Sequence, residues 1–148
     1  MTTGRLGRVA HLLLAEDNED DVVLLREGFR RAHLHVNLHH VEDGAQCMQF
    51  LRKEGPFADA PTPDIVLLDL NMPVMSGKDV MREISQDAAL SHLPVIALTT
   101  SADERDVLDL YRLRCSSYIV KPVDFANFTT VIRELTNYWF SLVVLPES

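Results

Sequence analysis

The chain has 148 residues, of which 47% are hydrophobic and 24% charged, as in a soluble domain with a buried core. Its formal net charge of −8 disfavours direct binding to nucleic acid, because phosphate contacts need a basic face. The sequence has no apolar run near the roughly 20 residues of a membrane span, no signal-peptide pattern and too few cysteines for a disulfide framework. We therefore expect a cytoplasmic protein without membrane or nucleic acid contacts.

The first elements predicted along the chain are a buried strand, an amphipathic helix and a weaker strand. The first strand covers Val9–Ala15, where a run of apolar residues, interrupted only by His11, is typical of a parallel sheet buried on both faces. The second strand covers Val36–Val41. Asn18 is a favourable N-cap for the helix between the two strands. The helix repeats apolar side chains at 3-4-3 spacing: Val22, Leu25, Phe29 and Ala32.

The middle of the chain repeats this order. A helix is predicted over Ala45–Arg52, a buried strand over Ile65–Leu70 and a further helix over Gly77–Ser85. The loop Lys53–Pro63 carries three prolines and one glycine, and we interpret it as a surface excursion rather than a binding site.

The last third of the chain completes the pattern. Its predicted elements are a strand over Pro94–Leu98, a helix over Ala102–Leu113, a short strand over Tyr118–Val120 and a helix over Asp124–Tyr138. Five alternations of strand and helix predict an α/β sandwich with a mainly parallel sheet and right-handed crossovers. We expect one domain over residues 9–138, an apolar C-terminal extension over residues 139–148 and no output domain.

Polar residues interrupt the apolar runs where the predicted strands end. They are Glu16 and Asp17 after the first strand, Asp69 in the third, Thr99 at the fourth and Lys121 at the fifth. Ligands bind at the carboxyl edge of an open parallel sheet, so these five side chains are expected to converge there.

Three carboxylates in one pocket repel each other unless a cation is present, and hard oxygen ligands suit Mg²⁺. A carboxylate can also attack phosphorus to give an acyl phosphate. In that reaction the cation and Lys121 would offset the charge on the phosphoryl group, and the Thr99 hydroxyl would donate to one of its oxygens.

Four ordered sequence blocks resemble the signature motifs of bacterial two-component response regulator receiver domains (CheY-like). They are Ala15-Glu16-Asp17-Asn18, Leu67-Leu68-Asp69-Leu70-Asn71-Met72-Pro73-Val74-Met75-Ser76-Gly77, Leu98-Thr99-Thr100 and Tyr118-Ile119-Val120-Lys121-Pro122. The resemblance covers residues 9–138. It implies a doubly wound, flavodoxin-like three-layer sandwich whose five-stranded parallel sheet has the order 2-1-3-4-5.

The resemblance also implies the roles of the polar residues. Asp69 is the phosphoacceptor, and it binds Mg²⁺ together with Asp17 and the backbone carbonyl of Asn71. Glu16 stands where aspartate is more usual and acts on the metal through a water molecule. The class implied is a phosphorelay protein with self-catalysed phosphotransfer and autodephosphorylation, not an enzyme acting on a separate substrate.

Two further roles follow from the same resemblance. Lys121 contacts the phosphoryl group, while Thr99 and Tyr118 form a switch pair that changes protein contacts after phosphorylation. The phosphoryl donor implied is a sensor histidine kinase.

Three other segments resemble the small response regulators that partner bacterial phytochromes. They are Glu54-Gly55-Pro56-Phe57-Ala58-Asp59-Ala60-Pro61, His35-Val36-Asn37-Leu38 and Trp139-Phe140-Ser141-Leu142-Val143-Val144-Leu145-Pro146. This resemblance implies a bacteriophytochrome kinase as partner. It also implies a homodimer through the fourth helix, fifth strand, fifth helix and the apolar tail, in which seven of the eight residues of Tyr138–Leu145 are apolar or aromatic.

Three other interpretations fit the sequence less well. A phosphatase of the haloacid dehalogenase kind needs a second acid two residues after the nucleophile, where this chain has Asn71. A flavodoxin-like carrier of FMN would need a phosphate-binding loop after the first strand, but residues 16–21 include five acids. A receiver domain that serves only as a scaffold would not require competent groups at all five site positions.

The histidines and cysteines favour structural roles. His33, His35, His39 and His40 are close in sequence, but adjacent strand residues point to opposite faces, so a solvated strand edge is expected rather than a metal site. Cys47 is predicted to pack inside a helix interface and Cys115 to lie in a loop near the fifth strand.

Overall fold

The computed structural model describes residues 10–31, 36–99, 108, 109, 111–113, 115 and 117–120. In chain order its elements are β1 (Ala10–Ala15), α1 (Glu19–Arg31), β2 (Val36–Val41), α2 (Gly44–Arg52), β3 (Ile65–Asp69), α3 (Gly77–Gln86), β4 (Val95–Thr99) and β5 (Ser117–Val120). The five strands form one parallel sheet in the order β2-β1-β3-β4-β5. The predicted fold and strand order are confirmed.

The sheet separates two hydrophobic clusters, one on each face. Leu12 and Leu14 of β1 join the cluster that α1 covers, to which that helix contributes Phe29. Leu13 of β1 belongs to the second cluster, with Cys47 of α2 and side chains of α3. Successive residues of one strand thus enter different clusters, which explains why the strands are apolar without alternation. This arrangement is the predicted three-layer sandwich.

The strand ends differ from the prediction by about one residue. β3 ends at Asp69 rather than Leu70, and β4 includes Thr99, which pairs with Val120 of β5. Of the predicted helix over Ala102–Leu113, residues 108, 109, 111 and 112 are helical. Several predictions lie outside the described residues, namely those on Val9, Ala32, His33, His35, Lys121, the helix Asp124–Tyr138 and the tail 139–148.

The loop between α2 and β3 is more tightly attached than a simple surface excursion. It contains a short 3₁₀ helix, Gly55–Phe57, and its half-buried Phe57 packs against the core beside α2. The rings of Phe57 and Phe50 have their centroids 5.4 Å apart. Lys53, with φ of 56°, ends α2 in the left-handed conformation and turns the chain toward this contact.

The two described histidines of the cluster, His39 and His40, lie on the edge strand as predicted, and each has a partner within hydrogen-bonding distance. His39 Nε2 lies 3.0 Å from His11 Nδ1, and burial together with His11 lowers the pKa of His39. His40 Nε2 lies 2.7 Å from the carbonyl oxygen of Glu16. Both histidines lie on β2, the edge strand, and both are half-buried.

The predicted packing role of Cys47 is confirmed. Its side chain is fully buried on α2, and burial raises the pKa of its thiol to about 12. Cys115 is also buried, and burial raises the pKa of this thiol as well. Among the helices that the structure describes, none has the length and apolar character needed to cross a bilayer.

Candidate functional site

Three carboxylates meet at the carboxyl edge of the sheet. Glu16 and Asp17 directly follow β1, and Asp69 is the last residue of β3, the strand beside it. One oxygen from each of the three lies within 4.8 Å of the others. Glu16 and Asp69 are buried, at 0% and 3% exposure, whereas Asp17 is exposed. The structure thus brings together the three acids that the sequence placed at strand ends.

The turn that carries Glu16 and Asp17 is held by hydrogen bonds on both sides. The Glu16 N–H donates to the carbonyl of Val41 at the end of β2 (3.1 Å), and the Asn18 N–H donates to Glu16 Oε2 (3.3 Å). Asn18 Oδ1 accepts from the N–H groups of Asp20 (2.9 Å) and Asp21 (3.2 Å). Asn18 therefore caps α1 as predicted and fixes where the acidic turn ends.

The segment after Asp69 folds back sharply onto the end of β3. Asp69 Oδ1 accepts from the N–H of Asn71 (3.1 Å), which orients the carboxylate. The Met75 N–H donates to the Pro73 carbonyl (2.7 Å) across Val74, whose φ is 68°. A bond between residues two apart around a positive φ is a classic γ-turn, which is rare and strained.

The end of the same segment packs closely against β3 at Gly77, where there is no room for a side chain. The Gly77 N–H donates to the carbonyl of Leu70 (3.2 Å), and Ser76 Oγ caps α3 by accepting from the Asp79 N–H (3.2 Å). A Cβ on Gly77 would lie 2.4 Å from the Asp69 carbonyl oxygen. The start of α3 is therefore seated directly against the backbone of Asp69.

Replacing Val74 with glycine is expected to raise the free energy of unfolding by about 0.5–1 kcal/mol, because a β-branched residue at positive φ costs more than glycine loses in chain entropy. Val74 is 84% exposed, so little packing is lost. Urea denaturation measures the change. Val23→Gly is the control, since Val23 is also exposed but lies within α1, where glycine should lower stability. If Val74→Gly and Val23→Gly lost stability equally, the conclusion that the backbone is strained at Val74 would be wrong.

The electrostatics of the three acids favour a bound cation. Two of the carboxylates are buried, and bringing a third within 4.8 Å adds repulsion that water screens poorly at such a site. Asp17 and Asp69 would hold such a cation, with Glu16 reaching it through a water, and Mg²⁺ would supply the positive charge that offsets the carboxylates. The donor set is all oxygen, which suits Mg²⁺ or Mn²⁺.

The other predicted site residues lie near the same edge where the structure describes them. Thr99 is buried at the end of β4. Tyr118 pairs with Ala97, two residues before Thr99, so Thr99 and Tyr118 share one face of the sheet. Tyr118 is half-buried and its ring meets that of Tyr111 edge-on at 6.2 Å. Asn71 is exposed.

One contact of the site was not predicted from the sequence. His40 reaches the backbone of Glu16, although its sequence neighbours indicated only a strand edge. The predicted strand order could have indicated this contact, because the 2-1-3 order places the end of β2 beside the end of β1.

A comparison with protein families gives a match to the response regulator receiver domain over residues 12–133. The match spans most of the chain and includes the acidic cluster and the end of β4. The chain therefore belongs to the response regulator receiver family.

Several individual proteins are similar to the chain over most of its length. Response regulator Rcp1 of Synechocystis sp. is 33% identical over 135 residues, which are 91% of this chain and 92% of Rcp1. The crystal structure of the Mn²⁺-bound form of Rcp1 has a TM-score of 0.84, with 93% of this chain and 99% of that chain covered.

Two further crystal structures are similar over nearly the whole chain. The phosphorylated cyanobacterial phytochrome response regulator RcpA is 34% identical, with a TM-score of 0.87 and coverage of 94% of this chain and 99% of that chain. Response regulator RPA3017, in red light signaling of R. palustris, is 38% identical, with a TM-score of 0.89 and coverage of 95% and 100%.

Proposed function

We propose that the protein is a response regulator that accepts a phosphoryl group on Asp69 from a histidine kinase, in a site that holds Mg²⁺. The observation that carries this proposal is the convergence of three carboxylate oxygens within 4.8 Å of one another at the carboxyl edge of a parallel sheet. Membership of the receiver family supports it. Asp69 is assigned as the nucleophile from its place in the receiver motif at the end of β3, and its carboxylate is buried and oriented by the Asn71 N–H.

The proposed transfer is a displacement at phosphorus. A carboxylate oxygen of Asp69 forms a bond to the phosphorus of a phosphohistidine, while the bond from phosphorus to the imidazole nitrogen breaks. The imidazole leaves with the electron pair of that bond, and the product is an acyl phosphate. Hydrolysis of this acyl phosphate returns the carboxylate, so the protein undergoes self-catalysed phosphorylation and dephosphorylation without turning over a separate substrate.

The remaining site residues are assigned supporting roles. Asp17, Asp69 and the Asn71 carbonyl are the proposed Mg²⁺ ligands, with Glu16 acting through water. A bound Mg²⁺ supplies positive charge that compensates the carboxylates and the phosphoryl oxygens. The Thr99 hydroxyl donates to a phosphoryl oxygen, and the Lys121 ammonium contacts the same group.

Phosphorylation is proposed to change the face around β5. Movement of Thr99 toward the phosphoryl group frees space that Tyr118 can fill, because the two residues lie on one face of the sheet. Tyr118 is half-buried and contacts Tyr111 edge-on, so its rotation would alter a partly exposed aromatic surface. This surface is where a change in partner binding is expected.

The proposed kinase is a bacteriophytochrome. Supporting this choice, RcpA is named a phytochrome response regulator and RPA3017 a regulator in red light signaling. The homodimer expected from the tail stays a prediction, because residues 121–148 lie outside the described part of the chain. Sedimentation of the full chain, compared with a truncation after Asn137, tests it.

Acetyl phosphate with Mg²⁺ is expected to add one phosphoryl group to the wild-type protein, detected by intact mass spectrometry, and EDTA should prevent the addition. Asp69→Asn should remain unmodified, because an amide is not a competent nucleophile here. Asp79→Asn is the matched control, since Asp79 is an exposed acid on α3. Modification of Asp69→Asn at the wild-type rate would overturn the proposed function.

A further inference from the structure

His40 is joined to the acidic turn by a short hydrogen bond. Its Nε2 lies 2.7 Å from the carbonyl oxygen of Glu16, and the residue is half-buried on the edge strand β2. A carbonyl oxygen can only accept a hydrogen bond, so the ring nitrogen must carry the proton and donate. The contact links residues 24 apart in the sequence, and it therefore depends on the tertiary fold.

This bond completes the attachment of Glu16 to β2. Regular pairing of β1 with β2 ends at Ala15 and Val41. Beyond that point the Glu16 N–H still donates to the Val41 carbonyl (3.1 Å), and the Glu16 carbonyl accepts from His40. Both backbone polar groups of Glu16 are thus bound by the last two residues of one strand.

The Glu16 carbonyl also controls the direction of Asp17. The carbonyl of Glu16 and the N–H of Asp17 belong to one planar peptide group. A hydrogen bond to the carbonyl oxygen therefore fixes the orientation of this peptide plane and, with it, the backbone direction at Asp17. Repulsion among the three carboxylates acts to open this turn when no cation is bound. A hydrogen bond from the neighbouring strand opposes that opening.

We infer that His40 is a positioning residue of the acidic site, whose ring N–H holds the Glu16–Asp17 peptide so that both carboxylates face Asp69 before the metal arrives. This inference rests on the proposed function, because it assigns His40 to the binding of Mg²⁺. In this role His40 would contact neither the metal nor the phosphoryl group. It acts through the backbone, by reducing the reorganisation that metal binding requires.

The test compares substitutions that keep or remove the donor at the position of Nε2. The amide nitrogen of glutamine can reach the Glu16 carbonyl, whereas that of asparagine is one methylene shorter and leucine has no donor. His40→Leu and His40→Asn should raise the Mg²⁺ dissociation constant about five- to tenfold, and His40→Gln should stay within about twofold of wild type. Calorimetric titration with Mg²⁺ alone measures these constants.

The phosphorylation rate separates positioning from general damage to the fold. With acetyl phosphate, His40→Asn should be slow at low Mg²⁺ and should approach the wild-type rate at saturating Mg²⁺, because only metal affinity has changed. His39→Leu is the control: His39 lies next to His40, but its ring bonds to His11. Its Mg²⁺ affinity should equal that of the wild type.

The outcomes distinguish this inference from the proposed function. If wild-type protein bound no Mg²⁺, the proposed function would fail and the inference with it. If wild type bound Mg²⁺ while His40→Asn and His40→Gln bound it equally well, the positioning role alone would be overturned. Unfolding measured in EDTA confirms that the variants compared are folded, and the pair of amide variants keeps the test valid if His40→Leu does not fold.

Discussion

Replacing Asp17 with alanine should raise the Mg²⁺ dissociation constant by about 100-fold or more. Removing even indirect partners of a metal costs about 10- to 100-fold in affinity, and Asp17 supplies one of three carboxylates within 4.8 Å. Asp17 is exposed, so the substitution leaves the core intact. Calorimetric titration with Mg²⁺ measures the change.

The same substitution should have the opposite effect on the metal-free protein. Without a cation, removing Asp17 relieves repulsion from buried Glu16 and Asp69, so the free energy of unfolding in EDTA should rise. Glu19→Ala is the matched control, because it removes the same charge from an exposed acid in the first turn of α1. If Glu19→Ala weakened Mg²⁺ binding as much as Asp17→Ala, the effect would reflect net charge and not a ligand.

Replacing Gly77 with alanine should lower the free energy of unfolding by about 3 kcal/mol. The added Cβ would lie 2.4 Å from the Asp69 carbonyl oxygen and 2.7 Å from the Leu70 Cα. Both atoms belong to the backbone at the end of β3, so the steric clash can be removed only if α3 or the strand moves. Because the strand carries Asp69, Mg²⁺ affinity should fall together with stability.

Urea denaturation of Gly77→Ala measures the loss of stability. Gln86→Ala provides the control, since Gln86 is the exposed last residue of the same helix, where the change should be within about 0.5 kcal/mol. A Gly77→Ala variant as stable as this control would show that α3 can withdraw from Asp69 at no cost.

The sheet and its acidic edge could be predicted from the sequence because both depend on local patterns. Unbroken apolar runs identify parallel strands, and the first polar residues after them identify the carboxyl edge. Glu16, Asp17 and Asp69 were placed in this way. The strand ends were less certain: Thr99 looked like the residue after a strand, but it pairs with Val120 and extends β4.

Contacts between distant segments could not be predicted, because they depend on register and close approach. Gly44 is an example: a Cβ there would lie 2.2 Å from the Met75 carbonyl oxygen, a contact between α2 and the segment after β3. The packing of Phe57 against the core is another, since its loop composition indicated only exposure. His40 is the third, because its partner lies 24 residues away. In each case the residue type is compatible with several environments.

The separation of the core into two clusters has a consequence for how such a protein can change over time. Side chains of Phe29 on α1 and Ile84 on α3 belong to different clusters, divided by the sheet. Changes in packing on the two faces should therefore be nearly additive, as for independent sites. Asp69 ends β3 and Glu16 follows β1, and both of these strands contribute side chains to both clusters. The packing within either helical layer can thus diverge to suit a new partner, provided that close contacts such as that of Gly77 with Asp69 are kept.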